Sequence, residues 1–339
     1  PRHPGLGHRL RRPAGAAVMA LAKDKSRDRV PVTVIGGYLG AGKTTLINRL
    51  LAGDHGLRFA VLVNDFGAIN IDADLIADHD GQTLALTNGC VCCSIADDLG
   101  SAFATISALT PHADHIVLEA SGVADPGRIA NYAFGTPGLD LDSIVVLADC
   151  ETLESHMTDR FVGATVRRQL AAADLLFLTK TDLADTAQVA RTADRLRRDH
   201  PDIPILHNSD TMFRWDVILG ANTNRNESVS APEIHDHQFG TASWRKAVLL
   251  DRSRFIAVLR SQSGPLLRCK GWVRFDDTPD KSTLVQMVGN RIELTDARDA
   301  SPERKNGLTF IFLREALSAP VLCDAVSACQ SSAPLPQNV

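Results

Sequence analysis

The fold of this chain is decided by residues 37–44, which read Gly37-Tyr38-Leu39-Gly40-Ala41-Gly42-Lys43-Thr44. They fit the phosphate-binding pattern G-x-x-x-x-G-K-[ST] at every position. The apolar run at 32–35 is typical of a short buried strand, and residues 45–51 have the pattern of a helix that Gly53 stops. The pattern therefore lies between a strand and a helix, which is the context that a phosphate-binding loop requires.

This loop predicts the binding of a nucleoside triphosphate. Glycines let backbone N–H groups curl around the β-phosphate, and the helix N-terminus adds partial positive charge. We expect Lys43 to reach the β- and γ-phosphates and the Thr44 hydroxyl to bind Mg²⁺. A chance glycine-rich turn is the alternative, and the complete pattern with both flanks argues against it. The predicted phosphate-binding residues are Gly37, Gly40, Ala41, Gly42, Lys43, Thr44 and Thr45.

The composition is that of an ordinary globular protein with room for two domains. The chain has 339 residues, of which 44% are hydrophobic and 22% charged. Its net charge of −4 gives no reason to expect nucleic-acid binding. No apolar run approaches the roughly 18 residues that cross a bilayer, so we expect no membrane association. Seven cysteines beside a phosphate-binding loop indicate a reducing, cytoplasmic setting.

Strands and helices alternate over residues 30–220, which we assign to one domain. This alternation predicts an α/β fold with a doubly wound, mostly parallel sheet, a P-loop GTPase domain whose ligands gather at the carboxyl ends of the strands. An amphipathic helix is expected over 188–198. Further strands are expected at 59–63, 116–118, 144–148, 175–178 and 203–206.

The remaining segments differ in character. Residues 1–29 predict a disordered tail. Its arginine-rich, acid-free start fits a transit peptide. Because Met19 lies shortly before the first strand, however, we favour the interpretation that residues 1–18 are read-through from upstream of the start of the protein. Residues 221–243 are polar and predict a linker, and 333–339 form a second tail. A smaller α+β domain is expected over 244–332, with a helix at 252–261 opened by Asp251. Strands at 266–275, 284–288 and 308–313 and a helix at 320–329 complete it.

The segment Thr179-Lys180-Thr181-Asp182 follows the fifth predicted strand, where a doubly wound GTPase places its guanine-reading loop. A carboxylate at Asp182 would accept from guanine N1–H and the 2-amino group, and adenine offers neither donor. The Lys180 stem can cover one face of the base. Thr179 stands where Asn is usual and makes fewer hydrogen bonds.

Acidic residues follow two other strands. Glu119 begins the segment Glu119-Ala120-Ser121-Gly122, and we expect it to hold Mg²⁺ while Gly122 presents an N–H to the γ-phosphate. Asp65, after the strand at 59–63, lies in a polar loop that can sense the γ-phosphate. It is the candidate for orienting the attacking water or binding a metal. A solvent-exposed acid at a strand end is the simpler alternative for each.

Three thiols, Cys90, Cys92 and Cys93, lie within four residues. The Asn-Gly turn before them and a capping box after them place them beside the N-terminus of a helix predicted over 95–108, which favours thiolates. Such ligands suit Zn²⁺, Co²⁺ and Cu(I), and three of them leave a fourth position open for transfer. A redox-active pair and ordinary buried cysteines are the alternatives. His235 and His237 form a weaker candidate for a metal contact.

Together these motifs resemble the CobW-type GTPases, the P-loop metallochaperone family related to the hydrogenase and urease accessory GTPases. The similarity runs from about residue 30 to 316, and the C-x-C-C element is its most specific part. The matching segments are 36–45, 64–67, 88–93, 119–122, 179–182, 235–237 and 268–271.

The resemblance implies a slow GTPase that binds a transition metal at the three cysteines and delivers it to a client. Its cofactors would be GTP or GDP, Mg²⁺, and Zn²⁺ or Co²⁺. The client would be a metal-requiring protein or a component of a cobalamin or nitrile hydratase pathway; the oligomeric state is not readable. Many relatives carry Glu after the Asn-x-Phe-Gly segment where this chain has Ala68, so Asp65 or Asp72 would have to replace it. A P-loop small-molecule kinase and a nucleotide-binding thiol sensor are the competing hypotheses.

Overall fold

The first half of the chain forms a seven-stranded parallel sheet in the order β3-β2-β4-β1-β5-β6-β7. In this computed structural model the described residues are 29–53, 57–64, 82–86, 113–207, 215–220, 238–297 and 306–333. The strands are β1 (Val30–Gly37), β2 (Phe59–Asn64), β3 (Gln82–Leu86), β4 (His115–Glu119), β5 (Leu139–Asp149), β6 (Leu175–Thr179) and β7 (Ile205–His207).

Helices cover both faces of this sheet. They are α1 (Lys43–Ala52), α2 (Pro126–Gly135), α3 (Leu153–Thr158), α4 (Gly163–Ala171), α5 (Thr186–Asp199) and α6 (Trp215–Leu219). Apolar residues of α2, α4 and α5 pack on one face, and those of α1 and α6 pack on the other. The central strands β4, β5 and β6 are buried on both sides, which explains their continuous apolar runs. The predicted doubly wound α/β fold is confirmed.

The second half forms a smaller antiparallel sheet in the order β11-β10-β9-β12-β8. Its elements are β8 (Phe239–Trp244), α7 (Arg252–Ser261), β9 (Leu266–Val273), β10 (Thr283–Val288), β11 (Arg291–Asp296), β12 (Gly307–Leu313) and α8 (Ala319–Ser327). Asp251 caps α7 as predicted, because its carboxylate accepts a 2.9 Å hydrogen bond from the Arg254 N–H. Phe255, Phe275 and Phe310 are fully buried between the sheet and its helices.

Three strands differ from the sequence prediction. β3 and β11 were not predicted, and β8 occupies residues that we expected in the linker over 221–243. Because β3 precedes it, the strand before the guanine-reading loop is the sixth in chain order and not the fifth. Among the described residues, no helix combines the length and apolar character that crossing a bilayer would require.

The two sheets are held together by a shared apolar cluster and buried ion pairs. Leu267, Val288 and Ile311 of the second sheet pack into the cluster that also contains α1 and α6. Arg268 in β9 pairs with Asp142 in β5 at 2.9 Å, and both side chains are only 5% exposed. These contacts lie at the amino-terminal half of β5. The carboxyl ends of the strands are therefore left for the loops that carry the predicted site.

Candidate nucleotide-binding site

The phosphate-binding loop joins β1 to α1 through three glycines with left-handed backbones. The φ angles are 137° at Gly37, 76° at Gly40 and 93° at Gly42. A Cβ at Gly37 would lie 2.6 Å from the carbonyl oxygen of Leu147, so this position excludes any side chain. Gly42 is the N-cap of α1, and no side chain caps the helix there. The first N–H groups of α1 are thus available to an anion, as the sequence predicts.

The polar side chains at the start of α1 point into the loop. Lys43 is 7% exposed, and its Nζ donates to the Tyr38 carbonyl at 3.4 Å, which holds the ammonium inside the loop. The Thr44 hydroxyl donates to Glu119 Oε1 at 3.0 Å. Glu119 ends β4, the neighbour of β1, and the pairing of Ile35 with Glu119 places the carboxylate beside the loop. The structure therefore brings together residues that are 75 positions apart.

Thr44 and Glu119 fit a Mg²⁺ ion by their chemistry. Mg²⁺ prefers oxygen ligands and usually keeps several waters, so one hydroxyl and one carboxylate beside substrate phosphates suffice. The 3.0 Å contact shows that both oxygens reach one place next to the phosphate-binding loop. When bound there, Mg²⁺ would neutralise charge on the β- and γ-phosphates.

The predicted guanine-reading loop is fastened to the phosphate-binding loop. The Thr179 hydroxyl donates to the Ala41 carbonyl at 2.9 Å, so it ties two loops together instead of facing a base. Lys180 has a φ of 55°, and its Nζ pairs with Asp149 at 2.9 Å. Burial raises the pKa of Asp149, but hydrogen bonds from Lys180 and the Glu151 N–H outweigh it and hold that pKa below its usual value. Asp182 is exposed. Its carboxylate is therefore accessible to a ligand.

The loop that carries Gly122 packs against the phosphate-binding loop. A Cβ on Gly122 would lie 2.9 Å from the Leu39 backbone nitrogen, so glycine permits this approach. The Ala124 N–H donates to the Ser121 carbonyl at 2.9 Å and closes the loop into a turn. On its inner side, Gln169 of α4 donates to the carbonyls of Gly122 and Ala124. Sequence reasoning missed Gln169, because nothing in α4 marks it.

The predicted transition-metal ligands and Asp65 lie outside the described part of the chain. Asp65, the cysteines 90, 92 and 93, and the histidines 235 and 237 are all in this category. Within the described ranges, no group of three His, Cys, Asp or Glu side chains is placed to hold a metal. The cysteines described there are Cys150, Cys269, Cys323 and Cys329, all free thiols. Burial raises the pKa of each of these four.

A phosphate-binding loop, an adjacent hydroxyl–carboxylate pair and a loop tied beside them all lie at the carboxyl edge of one parallel sheet. This arrangement defines a P-loop nucleotide-binding protein, since ligands of doubly wound sheets bind at that edge. The family model described as CobW/HypB/UreG, nucleotide-binding domain, matches residues 31–207. The model described as Cobalamin synthesis protein cobW C-terminal domain matches residues 239–330. The chain belongs to the CobW/HypB/UreG family, which confirms the resemblance seen in its motifs.

Individual relatives span most of the chain. The zinc chaperone YjiA of Escherichia coli (strain K12) is 34% identical over 278 residues, which cover 74% of this chain and 84% of the relative. The zinc chaperone CobW of a Sinorhizobium species is 28% identical over 319 residues, covering 79% and 88%. The zinc-regulated GTPase metalloprotein activator 1 of Dictyostelium discoideum is 26% identical over 338 residues, covering 83% and 71%.

Proposed function

We propose that this protein is a GTP-hydrolysing metallochaperone of the cytoplasm. It binds Zn²⁺ or Co²⁺ through Cys90, Cys92 and Cys93 and delivers the ion to a metal-requiring client protein or to a component of a cobalamin or hydratase pathway. The observation that carries the nucleotide part is the 2.9 Å bond from Thr179 to Ala41, which fixes a base-reading loop beside the phosphate-binding loop.

The choice of guanine rests on Asp182. Its exposed carboxylate lies two residues after Lys180, whose Nζ pairs with the Asp149 carboxylate at 2.9 Å. A base in this position meets an acceptor for two N–H donors, and guanine supplies both. Adenine supplies neither donor, so the carboxylate gains no hydrogen bond from it and favours guanine.

Hydrolysis uses residues that are already assembled. Lys43 stabilises the charge of the transferring phosphoryl group, and Thr44 with Glu119 holds Mg²⁺. Asp65 is the candidate for orienting the attacking water. Because the chain's motifs include no arginine finger, we expect intrinsic turnover on the order of 10⁻⁴ to 10⁻² per second.

The metal part is supported by the three clustered cysteines and by the relatives, whose names describe zinc chaperones and a zinc-regulated GTPase. Three thiolates leave one ligand position open, and an open position permits transfer of the ion. GTP and the ion are then linked: if GTP changes the affinity for metal, metal must change the affinity for GTP by the same factor.

Loading with Co²⁺ tests the proposal directly, because thiolate-to-cobalt charge transfer absorbs in the near ultraviolet. We expect one ion per chain, and we expect the band to vanish when cysteines 90, 92 and 93 are all replaced by alanine. Cys323→Ala is the matched control, since it removes a half-buried thiol far along the chain in α8. Binding should weaken as pH falls, since thiols must lose protons to bind metal.

The same titration is repeated with GTP and with GDP. A different metal affinity in the two nucleotide states supports the chaperone. Full metal stoichiometry in the triple variant, or identical affinities in both nucleotide states, would reject it. A disulfide within the cluster in place of metal uptake would instead favour a thiol sensor.

A further inference from the structure

Gln169 of α4 holds the Gly122 loop through two hydrogen bonds. Its Nε2 donates to the Gly122 carbonyl at 3.1 Å and to the Ala124 carbonyl at 2.7 Å. The side chain is 1% exposed. Both acceptors belong to one turn, which lies between the end of β4 and the start of α2. One amide therefore fixes two peptide groups of the loop that follows Glu119.

The orientation of this amide is set by its partners. Two carbonyl oxygens require donors, so the nitrogen must face the turn, and the oxygen has no hydrogen-bond partner among the described residues. A buried amide oxygen without a partner costs free energy. The chain tolerates that cost at a position where the amide nitrogen secures the loop. A merely space-filling residue at this site would be apolar.

The helix that carries Gln169 also supports the phosphate-binding loop. Gln169 lines a small pocket together with Tyr38, Leu39 and His156. The rings of Tyr38 and His156 meet edge to face with centroids 4.7 Å apart. Helices α3 and α4 thus contact both loops, and Leu39 of the one packs on Gly122 of the other. The two loops are fixed relative to each other before any ligand binds.

We propose that Gln169 is a positioning residue that sets the preference of this site for GTP over GDP. The inference rests on the proposed function and assigns it a residue beyond the recognised motifs. GTP differs from GDP only in the γ-phosphate, and the proposed function assigns contact with that group to the Gly122 loop, which packs on Leu39 of the phosphate-binding loop. A loop that is already held in place does not have to be ordered when GTP binds, so the affinity for GTP rises. The affinity for GDP, which lacks this contact, does not.

Gln169→Leu in the full chain tests the proposal, because leucine keeps the buried volume and removes both donated bonds. We expect the β,γ-imido analogue of GTP to bind about tenfold more weakly, as loss of one to two hydrogen bonds implies, and GDP to bind within about twofold of the original. The KM for GTP should rise and kcat should fall, since Glu119 shares this loop. Both affinities are measured by fluorescence titration with Mg²⁺ present.

Gln188→Leu is the matched control. Gln188 also donates to two backbone carbonyls, those of Cys150 and Glu151, but in a loop that does not contact Gly122. It should leave the ratio of the two nucleotide affinities unchanged. Gln169→Met provides a second variant if the leucine variant fails to fold, and retained GDP binding reports on folding in each case.

The outcomes separate the inference from the proposed function. Equal loss of GTP-analogue and GDP binding in the Gln169 variants, or no loss of either, would overturn the positioning role while leaving a GTPase in place. Failure of the unaltered protein to bind guanine nucleotides would instead overturn the proposed function itself.

Discussion

Single side chains at the carboxyl edge of the sheet divide into those committed to the scaffold and those open to a ligand. The Thr179 hydroxyl donates to the Ala41 carbonyl, and the Lys180 ammonium pairs with Asp149. Asp182 is exposed at the end of the same loop. We therefore predict that discrimination between bases depends on the Asp182 carboxylate, and that its neighbours determine where this carboxylate is held.

The first prediction at this scale concerns Asp182. The unaltered protein should bind GTP at least tenfold more tightly than ATP, and Asp182→Ala should lose most of that preference. Competition titrations with the two triphosphates measure it. Asp202→Ala, which removes another exposed carboxylate three residues beyond the end of α5, should keep the preference. Equal affinities for GTP and ATP in the unaltered protein would contradict the assignment.

At the scale of elements, the starts of three neighbouring strands share a buried polar contact. The Thr33 hydroxyl of β1 lies 2.9 Å from Nε2 of His115, the first residue of β4, and reaches towards Asp142 of β5. Burial, helped by the charges of Arg268 and Lys270, lowers the pKa of His115 to about 4, although the Asp142 charge opposes that shift. His115 is therefore neutral in the folded protein at physiological pH.

This neutral histidine predicts a pH dependence of stability. The unfolded chain takes up a proton at His115 below about pH 6.5, whereas the folded chain does so only near pH 4. The stabilising contribution is present above pH 6.5 and is lost as pH falls to 4, by on the order of 3 kcal/mol. Urea unfolding of the unaltered protein and of His115→Asn at both pH values checks it: the variant should show a smaller loss. Parallel losses would show that His115 titrates normally.

How far the sequence predicted these elements depended on how local their signals are. Strands buried on both faces, such as β5 and β6, carry continuous apolar runs and were predicted. β11 has only two apolar residues, Ile292 and Leu294, in a half-buried stretch, and β8 contains Gly240 and small residues, so neither carries the continuous apolar run that marks the strands of the first sheet. The phosphate-binding loop is contiguous and was found. Gln169 acts across 47 residues, and that contact leaves no local trace.

For the whole molecule, the joint between the two sheets depends on a buried network around Arg268. Besides Asp142, its guanidinium donates to the Ser143 hydroxyl at 3.1 Å and to the carbonyls of Val217 and Ile218 in α6. Burial raises the pKa of Asp142, but Arg268, His115 and Lys270 together hold it below its usual value. The segment that includes Arg268 was noted in the sequence only as part of the family resemblance.

The prediction at this scale concerns the loss of that pair. Arg268→Leu should lower the free energy of unfolding by about 3–5 kcal/mol, because Asp142 is left charged and buried without its partner. Arg252→Leu is the control: its pair with Asp277 is partly exposed and should cost at most about 1 kcal/mol. Chemical denaturation measures both. Similar losses in the two variants would show that the joint is not held by this ion pair.

The same joint bears on how such proteins diverge. β5 meets the second sheet at Asp142 and ends at Asp149, which holds the base-reading loop. Consider a gene fusion that kept the nucleotide-binding half and exchanged the other half. Asp142 would then be buried without a partner unless the new domain supplied an arginine at the place of Arg268. The new domain would also have to cover the apolar cluster that the second sheet now shares. Shuffling of the two halves is therefore constrained by the pairing of Arg268 with Asp142.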